Sequence, residues 1–156
     1  MQVDEDSAKV TFPPPFVYLG FLLIGMVIDR LMGGALPFSL LTRSVIATPL
    51  IALGIFLLMA AGGHFRRAGT EVKPWKTVSA LVDDGVYSMT RNPMYLGMAL
   101  LYTGLAIAFR SIGALLLLPA VILIIQTQVI AREERYMEEK FGDPYRAYKG
   151  RVRRWL

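Results

Sequence analysis

Four long apolar runs, separated by polar segments of unequal length, organise the chain. A helix needs roughly 17–25 mostly apolar residues to cross the hydrocarbon core of a bilayer. On that measure, membrane-spanning helices are predicted over residues 16–34, 44–63, 94–109 and 112–131. Asp29 and Arg30 fall near the far end of the first run, where they can pair or snorkel to the interface. Residues 31–41, with Gly33, Gly34 and Pro37, read as an irregular interfacial turn. Pro49 is placed to bend the second helix, Pro93 sits at a favourable first-turn position of the third, and Pro119 predicts a kink in the fourth. Only Arg110 and Ser111 separate the third and fourth runs, which predicts a tight antiparallel hairpin. Gly97 and Gly104 share a helix face and permit close helix approach. The fourth helix is expected to continue beyond its apolar run to about Lys140, with Arg135 and Glu139 one turn apart.

Hydrophobic residues make up 54% of the 156. A soluble domain of this size cannot hide that much apolar surface, so the expected fold is an all-α integral membrane protein of about four transmembrane helices. It reads as a single membrane domain, with a two-helix region over residues 1–63 and a motif-bearing core over residues 64–156. The net charge is +5, and the basic residues cluster. Only Lys9, Arg30, Arg43 and Arg110 lie outside the 64–93 connection and the segment after Ala131. That bias predicts both termini and the middle connection on the cytoplasmic side. It gives no reason to expect nucleic acid as a partner. The acidic start (Asp4, Glu5, Asp6) followed by Pro13, Pro14 and Pro15 does not resemble a cleaved signal peptide. With no cysteine and one histidine, His64, neither a disulfide framework nor a multi-histidine metal site is available, and no metal is expected.

Two polar blocks flank the hairpin, and the return of the chain brings both to one membrane face. The first runs from Gly85-Val86-Tyr87 to Arg91-Asn92-Pro93-Met94-Tyr95-Leu96-Gly97. The second runs from Arg132-Glu133-Glu134 to Phe141-Gly142-Asp143-Pro144-Tyr145 and Tyr148. Each has a plain structural reading. Asn92 serves as a helix N-cap with Pro93 at the first helical position. Glu133 and Glu134 form a solvated helix end, and being about 100° apart, at most one faces fully inward. His64 is a boundary residue, and Gln126 and Gln128 need partners inside their span. Trp75, Tyr145, Tyr148 and Trp155 suit an interface. These readings leave Tyr87 and Tyr95 unexplained. No dinucleotide-type glycine fingerprint and no phosphate loop is present.

Taken in order, Phe65-Arg66-Arg67-Ala68-Gly69-Thr70, Gly85-x-Tyr87, Arg91-Asn92-Pro93-Met94-Tyr95-x-Gly97, Glu133-Glu134 and Phe141-Gly142-x-x-Tyr145-x-x-Tyr148 resemble a known set. It is that of the isoprenylcysteine carboxyl methyltransferase and phospholipid methyltransferase superfamily, in particular its small bacterial members. Asn92 stands where the family usually has histidine, and Val86 where it often has proline. The first two spans carry no matching motif.

The resemblance implies an S-adenosylmethionine-dependent methyltransferase of a bacterial inner membrane, with a cytoplasmic cofactor pocket. Gly85, Val86, Tyr87, Arg91, Asn92, Tyr95, Glu133 and Glu134 would surround the donor. A carboxylate there pairs with its ammonium group and a guanidinium with its carboxylate. The acceptor is expected to be lipid-like or amphipathic, entering from the bilayer: an isoprenylcysteine-type carboxylate, a phospholipid amine or a thiol. Glu133 or Glu134 is then the available base for an amine or thiol, and Arg151 or Lys140 the group to orient a carboxylate. Two alternatives stand beside this: a membrane reductase of related architecture using a nicotinamide cofactor, and a non-enzymatic scaffold with a basic face for anionic lipid.

Overall fold

The computed structural model describes residues 3–156. Among them it is all-helical, with no strand. Helix α1 is Pro14–Met32, α2 Leu40–Arg67, α3 Pro93–Ala108 and α4 Ile112–Ile125. A π-helical turn over Gln126–Ile130 carries α4 directly into α5, Ala131–Phe141, and α6 follows at Asp143–Arg151. Three helical runs are long and apolar enough to cross a bilayer: Pro14–Met32, Leu40–Arg67 and Ile112–Phe141. α3 is the shorter apolar helix of 16 residues. At 1.5 Å per residue it is ~24 Å long, less than the ~30 Å hydrocarbon core, so the end that begins at Pro93 can lie recessed in the bilayer. The outward faces carry exposed Phe16, Leu23 and Val27 on α1, Phe56 and Met59 on α2, and Leu116 and Leu123 on α4. Apolar surface on that scale fits contact with lipid.

Local chemistry sets the ends of these helices. Proline occupies the first turn of α1 and of α3, where its missing N–H costs no hydrogen bond. Ser39 caps α2 by accepting from the Thr42 N–H at 3.1 Å, so this helix begins before the expected residue 44. Gly33 ends α1 in the left-handed region at φ 72°. Asp29 neither pairs with Arg30 nor snorkels. It accepts from Ser111 Oγ at 2.5 Å and the Gly113 N–H at 2.9 Å, placing a carboxylate at the positive end of α4.

α3 lies at the centre, against α2 on one side and α1 and α4 on the other. Two seams of small residues permit this. A Cβ on Gly54 would stand 2.7 Å from the Gly97 carbonyl, and one on Gly104 would stand 2.7 Å from Ile51 Cγ1, so α2 and α3 meet nearly backbone to backbone. The expected close approach at Gly97 and Gly104 is thus made to α2. On the other side, a Cβ on Gly25 would be 2.3 Å from Ala114 N, which brings α1 onto α4. Tyr102 fastens the hairpin internally by donating to the Ala114 carbonyl at 2.7 Å. Val121, Ile125, Val129 and Ile130 complete a core with no exposed surface along α4 and the π-turn.

Candidate functional site

At one end of the bundle the connection from α2 to α3, the start of α3, α5 and α6 enclose a cavity. The connection contributes Val78, Leu81 and Val82, the apolar patch expected to fold back rather than dangle, and Val78 and Val82 are buried. It then forms a short 3-10 helix, Gly85–Ser88, whose Tyr87 reaches the cavity. The cavity volume is about 110 Å³.

The two polar blocks meet here. Arg91, its side chain only 10% exposed, donates from Nη2 to Glu134 Oε1 at 2.9 Å. Arg154 donates to the same carboxylate from Nε at 3.0 Å and from Nη2 at 2.5 Å. Glu134 is therefore clamped between two guanidiniums, and this contact holds the Arg154 guanidinium above its ordinary pKa. Glu133 faces the same cavity, where its Oε1 accepts from the Tyr95 hydroxyl at 2.8 Å. The expectation that at most one of the two glutamates points inward is thereby corrected: both line the cavity. Glu133, Glu134, Tyr136 and Met137 form one broad face of α5 along the cavity, and two neighbouring long side chains can both reach it.

Asn92 does not cap α3 with its side chain. Its Nδ2 donates instead to the Arg154 carbonyl at 2.9 Å, joined there by Thr90 Oγ1 at 3.1 Å, while the Arg91 N–H donates to the Arg153 carbonyl at 2.9 Å. The segment after α6 thus staples the two blocks together, and the Trp155 indole completes the staple by donating to Gln126 Oε1 at 3.1 Å. This gives Gln126 the partner that its place in an apolar span demands. Tyr148 donates to the Tyr87 carbonyl at 2.8 Å. Burial pushes the phenols of Tyr87, Tyr145 and Tyr148 well above their ordinary range, so all three remain protonated donors.

Of the residues singled out in the sequence, Tyr87, Arg91, Asn92, Tyr95, Glu133 and Glu134 come together around one cavity. Gly85, Val86, Lys140 and Arg151 are not among its lining residues. Gly85 sits at φ 56° with its side-chain space filled by His64, whose Nε2 would be 2.1 Å from an added Cβ. His64 is in turn 3.0 Å from Asp84 Oδ1. Lys140 pairs with Asp6, and Arg151, with 69% of its side chain exposed, reaches Asp83 at 3.2 Å. Sequence reasoning missed Arg154 and Tyr136. Arg154 stands in a run of four basic residues within six positions that looks like a membrane anchor.

One donor in the site is unused. Arg91 Nε is buried and finds no hydrogen-bond partner among the described residues. A buried guanidinium edge without an acceptor is costly, and an anionic ligand group would satisfy it.

Comparison with known proteins places the chain in a family. Residues 42–144 match the phospholipid methyltransferase family. A stretch of 35 residues is 66% identical to an uncharacterized protein of Haemophilus influenzae, covering 22% of this chain and 56% of that one. Over 72 residues the chain is 33% identical to the protein-S-isoprenylcysteine O-methyltransferase of Schizosaccharomyces pombe, covering 46% of this chain and 30% of that one. The chain thus spans between 30% and 56% of the length of these curated relatives. No solved structure matches it.

Proposed function

Because the chain belongs to the phospholipid methyltransferase family, we propose that this cavity binds S-adenosylmethionine and that the protein methylates a lipid-like or amphipathic acceptor. The observation that carries the reading is that one cavity is lined both by Arg91, whose buried Nε has no hydrogen-bond partner among the described residues, and by the Glu133 carboxylate. A zwitterionic amino-acid group has both the carboxylate and the ammonium that such a pair recognises. The orientation follows from the same basic segments. Their positive-inside bias supports a cytoplasmic cavity, where a water-soluble donor is available.

Such a donor supplies a methyl carbon already activated on a sulfonium. The residues of the chain then have three tasks. Arg91 and Glu133 orient the donor, and positioning of this kind is worth up to ~7–11 kcal/mol for well-aligned groups. Tyr87, Tyr145 and Tyr148, with Leu81 and Val82, keep water from the reacting atoms. For an amine or thiol acceptor, Glu133 takes the proton, its Oε1 held by the Tyr95 hydroxyl. A carboxylate acceptor would need no base and would be oriented by a cation. Lys140 and Arg151 are committed to Asp6 and Asp83, whereas Lys73 is a cation among the lining residues and is available for that role.

The test is equilibrium binding of labelled S-adenosylmethionine to the purified protein, with Arg91→Gln and Glu133→Gln beside it. Each variant is expected to bind about tenfold or more weakly, the value of one charge-assisted contact. Absence of binding by the parent removes the proposal, and unchanged affinity in both variants removes the site. Incubation of membranes with methyl-labelled donor then identifies the acceptor class from where the label appears.

A further inference from the structure

Two walls of the cavity are tied together by a segment that no motif covers. One wall is the connection between α2 and α3, and the other is α5. Residues 4–10 cross between them. On the first wall, the Asp4 carboxylate accepts from Lys76 Nζ at 2.9 Å, the Thr77 N–H at 3.1 Å and Thr77 Oγ1 at 3.3 Å. The Asp4 N–H donates to the Trp75 carbonyl at 3.0 Å. On the second wall, Tyr136 donates its hydroxyl to the Asp6 carbonyl at 3.2 Å, Lys140 pairs with the Asp6 carboxylate, and Arg132 donates to the Lys9 carbonyl at 3.3 Å. Between these anchors Ala8 lines the cavity and Val10 is completely buried. Lys76 and Tyr136, which hold the crossing segment, are themselves cavity residues. The contact with Lys76 holds the Asp4 carboxyl below its ordinary range, as expected of a latched group.

The cavity volume of about 110 Å³ is well short of the ~300 Å³ at which ordinary ligand sites begin. Enclosing a nucleoside-sized ligand within it requires a wall to move. α5 continues from the membrane helix without a break in the helical run Ile112–Phe141 and is poorly placed to do so. The crossing segment is better placed. Its two ion pairs have partly exposed partners, and pairs of that kind contribute little individually.

We propose that residues 4–10 form a gate over the cavity, latched by Asp4 and Asp6, which opens to admit and release a nucleoside-sized ligand. The identity of that ligand rests on the functional reading above, whereas the gate rests on the contacts alone.

Because the chain has no cysteine, Met137→Cys on the α5 wall is a unique reporter of access. Its rate of labelling by a water-soluble maleimide is measured in the full chain, with and without Asp4→Asn and Asp6→Asn together. Releasing both latches is expected to raise the rate about 2- to 30-fold, the factor for two exposed ion pairs. Salt at about 0.5 M should speed labelling of the reporter with intact latches and have little effect on the unlatched one. Should the double variant lose helical content, Lys76→Gln, which releases the Asp4 latch alone, is expected to raise the rate about 1.4- to 5-fold. In a second arm, association and dissociation of S-adenosylmethionine should both accelerate in the unlatched protein, with little change in Kd. An unchanged labelling rate overturns the gate, whatever the donor does. Faster labelling without donor binding in any form keeps the gate and removes the methyl-donor reading.

Discussion

Replacing Glu134 with glutamine tests whether the clamp between the polar blocks is a buried charge pair or an ornament of the helix end. The substitution keeps the shape and removes the charge. It strands Arg91, whose side chain is 10% exposed, and leaves Arg154, 36% exposed, facing it. Removing one member of a fully buried pair costs ~3–5 kcal/mol. The Arg154 leg is screened by solvent and Arg91 keeps its bond to the Lys149 carbonyl, so the low end, ~3 kcal/mol, is expected. Unfolding by sodium dodecyl sulfate, followed by helical circular dichroism, gives the loss for Glu134→Gln, Arg91→Gln and the pair. The double variant should lose much less than the sum of the singles, with a coupling of ~1–3 kcal/mol. Glu138→Gln, which breaks the more exposed pair with Lys149, serves as the control and should leave stability unchanged. A loss below ~0.5 kcal/mol for Glu134→Gln, with additive singles, would refute the reasoning, because the site would then be wet and the charges screened.

Tyr95→Phe removes the hydroxyl held by Glu133 and should cost ~1.5–3 kcal/mol of that contact, read as weaker donor binding with helical content intact. Gly85→Ala forces a non-glycine residue to φ 56° and drives its Cβ into His64, so stability should fall by at least ~1–2 kcal/mol in the same denaturation assay. Removing the ring with His64→Ala should restore part of the loss, and no loss at all would contradict the left-handed turn. Gly54→Val should separate α2 from α3, since even a Cβ there meets the Gly97 carbonyl at 2.7 Å. A cost of ~1–3 kcal/mol is expected from overpacking, and wild-type stability would show that the seam is open.

The helices were legible in the sequence because each depends on a local property: a long apolar run, a proline at a start, a glycine past an end. The hairpin at Arg110-Ser111 and the extension of α5 to Phe141 follow from such runs and agree with the structure. The π-turn over Gln126–Ile130 was not legible, since it is a register adjustment that no residue type announces. It adds a residue to the winding just before Glu133 and Glu134, so a phase counted along the apolar run on an ideal helix does not carry over to the two glutamates. Asp29 was misread for another reason. An acidic residue in an apolar run invites a basic neighbour as partner, but the strongest donors available to it are the N-terminal groups of α4, 82 and 84 residues away in sequence.

The candidate site divides along the same line. Arg91, Tyr95, Glu133 and Glu134 are side chains in recognisable blocks, and the chain's return across the bilayer is enough to make them neighbours. The groups that hold the blocks in register are backbone carbonyls of Arg153 and Arg154, which leave no trace in residue type. Residues 4–10 were opaque because their acidic character reads only as the wrong sign for orientation, whereas their anchors lie on two distant walls. A pocket whose ligand groups are local in sequence but whose closure is not can lose closure without losing its motifs. Substitutions in residues 4–10 or 153–155 are therefore expected to change ligand exchange and stability in a chain whose recognisable blocks are intact, measured by the labelling rate at Met137→Cys and by unfolding.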